Sequence, residues 1–163
     1  MPTPALKIVC KIAEIVASSS EYHKTLQEIT RVVATGVGVE VCNILVFDDA
    51  SEQLILEGTH GFGKEAVHKV KLPPDQGIVG YCFRRLEVVN VARKQEHPDF
   101  KAFATDRAAD YSSLLAVPLV AGGRAIGVIN LESRVAEPFQ PATVATTQAI
   151  AAPIAAYARN RNL

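Results

Sequence analysis

The stretch from Ser112 to Ser133 constrains the fold more than any other part of this 163-residue chain. Its two halves, Ser113–Val120 and Ala125–Leu131, are apolar at nearly every position. Between them, Gly122-Gly123 supplies the positive φ angles that a two-residue hairpin turn requires. A half-exposed hairpin would alternate apolar and polar residues. These two strands are therefore predicted to lie inside a sheet that is covered on both faces.

Helices are predicted at both ends of the chain. Apolar residues spaced by three and four over residues 4–18 indicate an amphipathic helix, and the same pattern predicts a second helix over 21–36. The last helix begins near Phe139-Gln140-Pro141 and is rich in alanine, with Pro153 expected to kink or break it. The predicted organisation is one domain over 1–163, in which 1–20 contains the N-terminal helix and 139–163 contains the C-terminal helix and the polar tail that follows it.

The middle of the chain alternates strands with short helices. Strands are predicted over 39–48, 53–59 and 87–91, and a solvent-facing strand over 66–72. One short helix is expected to start at Gly77 and another at His97-Pro98. Strands flanked by segregated helices indicate an α+β fold with a central antiparallel sheet.

Composition excludes several classes of function. Lys plus Arg and Asp plus Glu number 17 each, so the chain lacks the basic excess of a nucleic-acid-binding protein. No apolar run approaches the roughly 20 residues of a membrane span, and the first residues have no signal-peptide layout. We expect a cytoplasmic protein with no membrane or nucleic-acid partner.

The side chains that ligate metals form no sequence motif. The three cysteines, Cys10, Cys42 and Cys82, match no zinc spacing and are expected to be free thiols in the core or at an interface. A haem would need an axial ligand, usually histidine. Surface or capping roles are favoured over ligation for the four histidines, which are His23, His60, His68 and His97. No metal site is predicted.

Four motifs together resemble the GAF domain, and the resemblance covers essentially the whole chain. In order they are Gly77-Ile-Val-Gly80, His97-Pro-Asp-Phe100, Ser113-Leu-Leu-Ala-Val-Pro-Leu119 and Ile126-Gly-Val-Ile-Asn-Leu131. The N-terminal half, with Ile15-Val-Ala-Ser18 and Val41-Cys42, most resembles the GAF modules of nitrogen-branch phosphotransferase Enzyme I or of nitrogen-fixation activators.

The resemblance implies a sheet of five or six strands, terminal helices on one face and a small-molecule pocket on the other. It also implies that Pro118, which lacks a ladder N–H, marks a local irregularity beside the pocket rather than a sheet edge.

Candidate pocket residues come from the sheet and from the segment 92–112. An apolar floor with a few polar groups above it is what a small-molecule site requires. The alternative is that these polar residues only solvate a long loop. The predicted floor is Phe47, Val89, Leu115, Val117 and Val128, and the predicted polar groups are Asp106, Asp110, Tyr111, Ser112 and Ser113.

The resemblance implies a regulatory module of bacterial signal transduction that senses an unknown small molecule, dimerises through its terminal helices and has no catalytic activity. A downstream effector domain is possible. One alternative is a purely structural dimerisation domain. Another is a GAF-type free methionine sulfoxide reductase, although Gly77-Ile-Val-Gly80 lacks the cysteine that this enzyme places there. A redox pair of Cys42 and Cys82 stays open.

Overall fold

A six-stranded antiparallel sheet forms the centre of the molecule in the computed structural model, which describes residues 3–18, 20–101 and 110–160. The strands are β1 (Val41–Asp48), β2 (Gln53–His60), β3 (Lys71–Leu72), β4 (Val89–Val91), β5 (Ser113–Ala121) and β6 (Arg124–Ser133). Their order across the sheet is β3-β2-β1-β6-β5-β4. The α+β fold and its antiparallel sheet are confirmed.

Within the described ranges, four α-helices cover the sheet: α1 (Pro4–Ala17), α2 (Tyr22–Val37), α3 (Gly77–Arg85) and α4 (Pro141–Arg159). The connections in this part of the chain also contain the 3-10 turns Lys64–Ala66 and Lys94–Glu96. Thr3 caps α1 through a hydrogen bond from the Leu6 N–H, and Glu21 caps α2 by accepting from the N–H groups of His23 and Lys24.

Side-chain alternation gives the sheet two buried faces. The helical face is packed by α1, α2 and α4, and the α3 face is packed by α3 and the connections beside it. The helical face carries Cys42, Ile44, Val46, Leu115, Val117, Leu119, Ile129 and Leu131. The α3 face carries Val41, Leu45, Leu54, Leu56, Leu114, Ala116 and Val128. The central strands are thus covered on both sides, as their continuous apolar sequence predicts.

The hairpin β5–β6 turns at Gly122 and Gly123, whose φ angles are 59° and 76°. Pro118 pairs with Val128 of β6, beyond the point where the pairing of β4 with β5 ends at Val89 and Ala116. A register shift follows between Leu119 and Val120. The missing N–H of Pro118 therefore lies in an irregular part of an interior strand.

A bulge interrupts the pairing of β1 with β2. Leu45 pairs with Leu56 while Ile44 pairs with Gly58, so Glu57 is the extra residue of the bulge. Its side chain is fully buried. The bulge thus places one carboxylate under the edge of the sheet.

Several local predictions are wrong. Residues 66–72 form turns with only Lys71–Leu72 as a strand, because the backbone there is held by turn hydrogen bonds and His68 has a positive φ. No helix starts at Pro98; the preceding turn Lys94–Glu96 ends at His97, whose Nδ1 accepts from the Asp99 N–H. Cys10 lies exposed on α1, so it is not a core residue, and the interface position stays a prediction. Helix α4 continues through Pro153, so the proline does not break it.

None of the helices in the described ranges is long and apolar enough to cross a membrane.

Gly127 allows β1 and β6 to approach closely. A Cβ built there would overlap the carbonyl oxygen of Leu45 on the neighbouring strand. We expect Gly127→Ala to lower the free energy of unfolding by about 2–3 kcal/mol, since backbone cannot yield as a side chain does. Urea denaturation followed by circular dichroism measures this loss. The matched control is Gly123→Asn, where nothing lies within 4 Å of the added Cβ and Asn tolerates the positive φ. Equal losses in the two variants would contradict the prediction.

Candidate functional site

A row of buried polar side chains crosses the α3 face at the centre of the sheet. Asn43 of β1 pairs with Thr59 of β2 on one side and with Asn130 of β6 on the other. Glu132 lies two residues along β6, on the same face. Each of these four residues is no more than 3% exposed. Polar groups at such positions require hydrogen-bond partners, because burial removes them from water.

The charged end of this row is an ion pair between Glu132 and Lys94. The Lys94 Nζ lies 2.6 Å from Glu132 Oε1, and both side chains are almost fully buried. Lys94 is positioned by its own N–H, which donates to the Ser112 carbonyl at 2.8 Å, while the Ser112 N–H donates to the Ser133 carbonyl at 2.9 Å. The ion pair therefore attaches Lys94 to β6, and the backbone hydrogen bonds attach Ser112 both to Lys94 and to β6.

Burial raises the pKa of Glu132, and the neighbouring Lys94 ammonium opposes that rise. The desolvation of the carboxylate thus outweighs the attraction of its partner. A buried pair of this kind adds little net stability, although removing one partner is costly.

Asn130 is incompletely bonded at the centre of the row. Its Nδ2 donates a long hydrogen bond of 3.4 Å to Glu132 Oε2. Its Oδ1 is buried and accepts no hydrogen bond from the residues that the structure describes. Its neighbour Asn43, by contrast, accepts a 2.6 Å hydrogen bond from the Thr59 hydroxyl. One buried acceptor of the row is thus unsatisfied among the described residues.

Aromatic side chains lie beside the polar row. Phe62 and Tyr111 have ring centroids 6.2 Å apart, and both belong to the core of the α3 face. The Arg134 guanidinium lies over the Tyr111 ring at 4.9 Å, a cation–π contact that holds the ring at the end of the segment. The surroundings combine apolar walls with a few polar groups, as small-molecule sites do.

Four of the predicted pocket residues lie on the α3 face: Phe47, Val89, Tyr111 and Val128. Leu115 and Val117 do not; they pack against the terminal helices on the helical face, and their placement in the pocket was wrong. Because side chains alternate along a strand, Leu114 and Ala116 take the positions assigned to them.

The remaining predicted residues have other surroundings. Ser113 lies on the Leu115 side of β5, where its hydroxyl donates to the Ser133 carbonyl. The Ser112 hydroxyl donates to the Ala92 carbonyl and closes the base of the segment. Asp110 is exposed, and Asp106 lies outside the described residues.

Sequence reasoning missed the polar row itself, whose members are Asn43, Thr59, Lys94, Asn130 and Glu132. The available signal was a polar residue inside an otherwise apolar strand: Asn43 in β1, and Asn130 and Glu132 in β6. The register that places these residues side by side could not be obtained from the sequence.

The thiols are separated from one another. Cys42 lies on the helical face and Cys82 on the α3 face, so the sheet stands between them. Burial raises the pKa of Cys82 to about 12 and raises that of Cys42 as well. A redox pair of these residues is therefore contradicted by their placement, and neither thiol is ionised near neutral pH.

A second polar cluster lies at the edge of the sheet, where His23, Glu57 and His68 converge. The Nε2 atoms of both histidines are 2.7 Å from Glu57 Oε2 and 3.0 Å from each other. Among the described residues, this is the group whose donor atoms are close enough to hold a metal ion.

Comparison with known proteins agrees with this architecture. The chain is 30% identical over 110 residues to an Escherichia coli (strain K12) protein described as "Phosphoenolpyruvate-dependent phosphotransferase system". That match covers 68% of the chain but only 15% of the relative's length. The crystal structure of the GAF domain from an Acinetobacter phosphoenolpyruvate-protein phosphotransferase superposes with a TM-score of 0.86 at 24% identity, covering 98% of this chain and 95% of that one.

A free methionine-R-sulfoxide reductase from Neisseria meningitidis has the same fold, with a TM-score of 0.80 at 21% identity, covering 99% of this chain and 93% of that one. The fold is therefore shared by regulatory domains and by an enzyme. The family model for the GAF domain matches residues 21–157, which is most of the chain. The resemblance found in the sequence is confirmed: this chain belongs to the GAF domain family.

Proposed function

We propose that this GAF domain is a regulatory module that senses a small polar metabolite on the α3 face, beside the polar row. The observation that carries the proposal is the buried Oδ1 of Asn130, which has no hydrogen-bond partner among the described residues and lies beside the Lys94–Glu132 ion pair. A domain that only packed this face would favour apolar side chains there, as it does on the helical face.

The energetics support a bound molecule. Leaving a buried acceptor unsatisfied costs about 1–3 kcal/mol. A ligand that donates an N–H or O–H to Asn130 recovers that free energy only in the bound state, and the ordered polar neighbours fix its orientation. The chemistry favours a compact metabolite with at least one such donor and an apolar part that contacts Phe62 and Tyr111.

A route from this site to the terminal helices runs through Asn90. Its Nδ2 donates to the Phe139 carbonyl at 2.9 Å, and its Oδ1 accepts from the Phe139 N–H at 2.8 Å. Asn90 lies in β4, just before the segment 92–112, and Phe139 lies just before α4. A ligand that shifts β4 and Asn90 would therefore act directly on the start of α4, provided that the two states differ in ligand affinity.

The terminal helices offer the surface for a homodimer. On α4 the exposed side is a stripe of small residues spaced by three and four: Ala142, Ala145, Ala149, Ala152 and Ala156. On α1 the exposed side carries Leu6, Cys10, Ala13 and Ala17 at the same spacing, and Leu6 is 50% exposed. Two-fold packing of these helices would bury both stripes, since small residues permit close approach of helices.

The reductase alternative receives less support. Its chemistry needs an accessible thiolate that attacks sulfur and a second thiol that resolves the product. Here Cys82 is buried with its pKa raised to about 12, and Cys42 lies across the sheet from it. A chain that turned over free methionine sulfoxide would overturn the proposal of a non-catalytic domain.

Ligand binding is tested by thermal shift against amino acids, nucleotides, 2-oxoglutarate and haem, comparing the wild type with Asn130→Leu. A compound at 100 times its Kd should stabilise the wild type by about 2.7 kcal/mol. Asn130→Leu should melt close to the wild-type temperature, because it removes an unsatisfied acceptor together with one long hydrogen bond to Glu132, and it should lose the shift.

The matched control is Asn160→Leu at the exposed end of α4, which should keep the shift. The proposal fails if no compound shifts the wild type, or if Asn130→Leu responds as the wild type does.

The Lys94–Glu132 pair predicts a pH-dependent defect. Lys94→Met leaves a buried carboxylate whose folded-state pKa is raised above its unfolded value. Stability is then greatest below the unfolded pKa and is lost as pH rises through the folded pKa. We expect Lys94→Met to lose about 3–5 kcal/mol at pH 8 and clearly less at pH 5, measured by urea denaturation. The double variant Lys94→Met/Glu132→Leu should remove this dependence; a pH-independent loss in the single variant would contradict the expectation.

The dimer is tested by Ala149→Glu, which places a charge in the middle of the α4 stripe. We expect the wild type to sediment as a dimer with a concentration-dependent melting temperature, and Ala149→Glu to sediment as a monomer. Analytical ultracentrifugation provides the measurement. A wild type that is monomeric throughout the micromolar range would refute this interface, and Gln148→Glu beside the stripe is the control for added charge.

A further inference from the structure

We propose that His23, Glu57 and His68 form a binding site for one divalent first-row transition-metal ion. The three residues come from distant parts of the chain: His23 from the first turn of α2, Glu57 from the bulge in β2, and His68 from the connection to β3. Their donor atoms nevertheless converge, with separations of 2.7, 2.7 and 3.0 Å.

The triangle of donor atoms has the dimensions of one face of an octahedral site. Metal–nitrogen and metal–oxygen bonds of about 2.0–2.2 Å at right angles place neighbouring donor atoms about 2.8–3.1 Å apart. The separation of the two nitrogen atoms, 3.0 Å, lies in that range, and the two separations to Glu57 Oε2, 2.7 Å each, lie just below it. Two histidines and one carboxylate on one face leave the opposite positions open, an arrangement typical of divalent iron and also compatible with Zn²⁺, Co²⁺ and Ni²⁺.

The three donor atoms are of the types that bind a cation together. Each histidine Nε2 offers a lone pair when its other ring nitrogen carries the proton, and Glu57 Oε2 offers a carboxylate oxygen. All three can bind the same ion, because they lie 2.7, 2.7 and 3.0 Å from one another.

His23 has the outer partner expected of a metal ligand. Its Nδ1 lies 3.3 Å from Glu21 Oε1, so the carboxylate favours the tautomer in which Nδ1 carries the proton and Nε2 is free to bind. Glu21 is itself fixed by the N–H groups of His23 and Lys24, which donate to its two carboxylate oxygens at 2.9 and 3.1 Å. The carboxylate is therefore held in place beside the His23 ring.

His68 is held in an unusual backbone conformation. Its φ is 67°, a left-handed value that costs a non-glycine residue free energy. In this conformation its N–H still donates to the Leu56 carbonyl at 2.9 Å, and its ring reaches Glu57.

Access to the cluster is open on one side. His23 and His68 are 41% and 50% exposed, whereas the Glu57 side chain is fully buried. The cluster borders a cleft of about 360 Å³ lined by Glu21, His23, Lys24, Gln27, Glu57 and Lys64. An ion can enter from this cleft and keep water or an anion at its remaining positions, while tying the start of α2 to the edge of the sheet.

The test is metal titration of the tag-free, chelator-treated chain with Co²⁺ and Zn²⁺. Calorimetry should find one ion per chain, and bound Co²⁺ should give a visible absorption spectrum. His23→Gln and His68→Asn should each weaken Zn²⁺ binding at least 100-fold, and Glu21→Gln should weaken it 10- to 100-fold. Asn suits position 68 because it tolerates a positive φ, so that variant should fold.

The matched control is His60→Asn, which removes a histidine outside the cluster and should leave the affinity unchanged. Circular dichroism melting confirms that each variant is folded. The proposal is overturned if the wild type binds neither ion stoichiometrically, or if folded His23→Gln and His68→Asn retain the wild-type affinity.

Discussion

The pairing of β6 between β1 and β5 is the constraint on which the rest of the molecule depends. Gly127 lets β6 approach β1 closely, and the register then sets every later residue of the strand. Ile129 and Leu131 reach the terminal helices, whereas Asn130 and Glu132 point to the opposite face. One strand thus contributes to the core that holds the helices and to the polar row that can hold a ligand.

Much of the fold was accessible from the sequence because its signals are local. Helical periodicity in α1 and α2 and the Gly122-Gly123 turn each act within a few residues. The predictions were wrong in segments whose conformation is determined by tertiary contacts. Residues 66–72 alternate as a strand would, but most of their backbone hydrogen bonds close turns. Pro153 interrupts the helical hydrogen-bond pattern, but α4 continues beyond it because the apolar residues on both sides of Pro153 pack against the sheet.

The candidate site was predicted less well than the fold, for a definite physical reason. A strand that is apolar on both faces does not reveal which residues face which side, so Leu115 and Val117 were assigned to the wrong face. The polar row depends on cross-strand register between residues such as Asn43 and Asn130, which lie far apart in the chain. The residues of the histidine cluster likewise come from α2, from β2 and from the connection after β2, so they are too far apart in the sequence to form a recognisable motif.

The bulge in β2 changes which residues of that strand face each side of the sheet. Before Glu57, even-numbered residues such as Leu54 and Leu56 point to the α3 face, whereas after it the odd-numbered Thr59 does so and reaches Asn43. Deleting one residue there would turn Thr59 toward α2 and leave Asn43 without its hydroxyl donor. The one extra residue, Glu57, therefore supplies the carboxylate of the histidine cluster and also determines that Thr59 faces the polar row. A change in the length of β2 would thus affect both groups of residues.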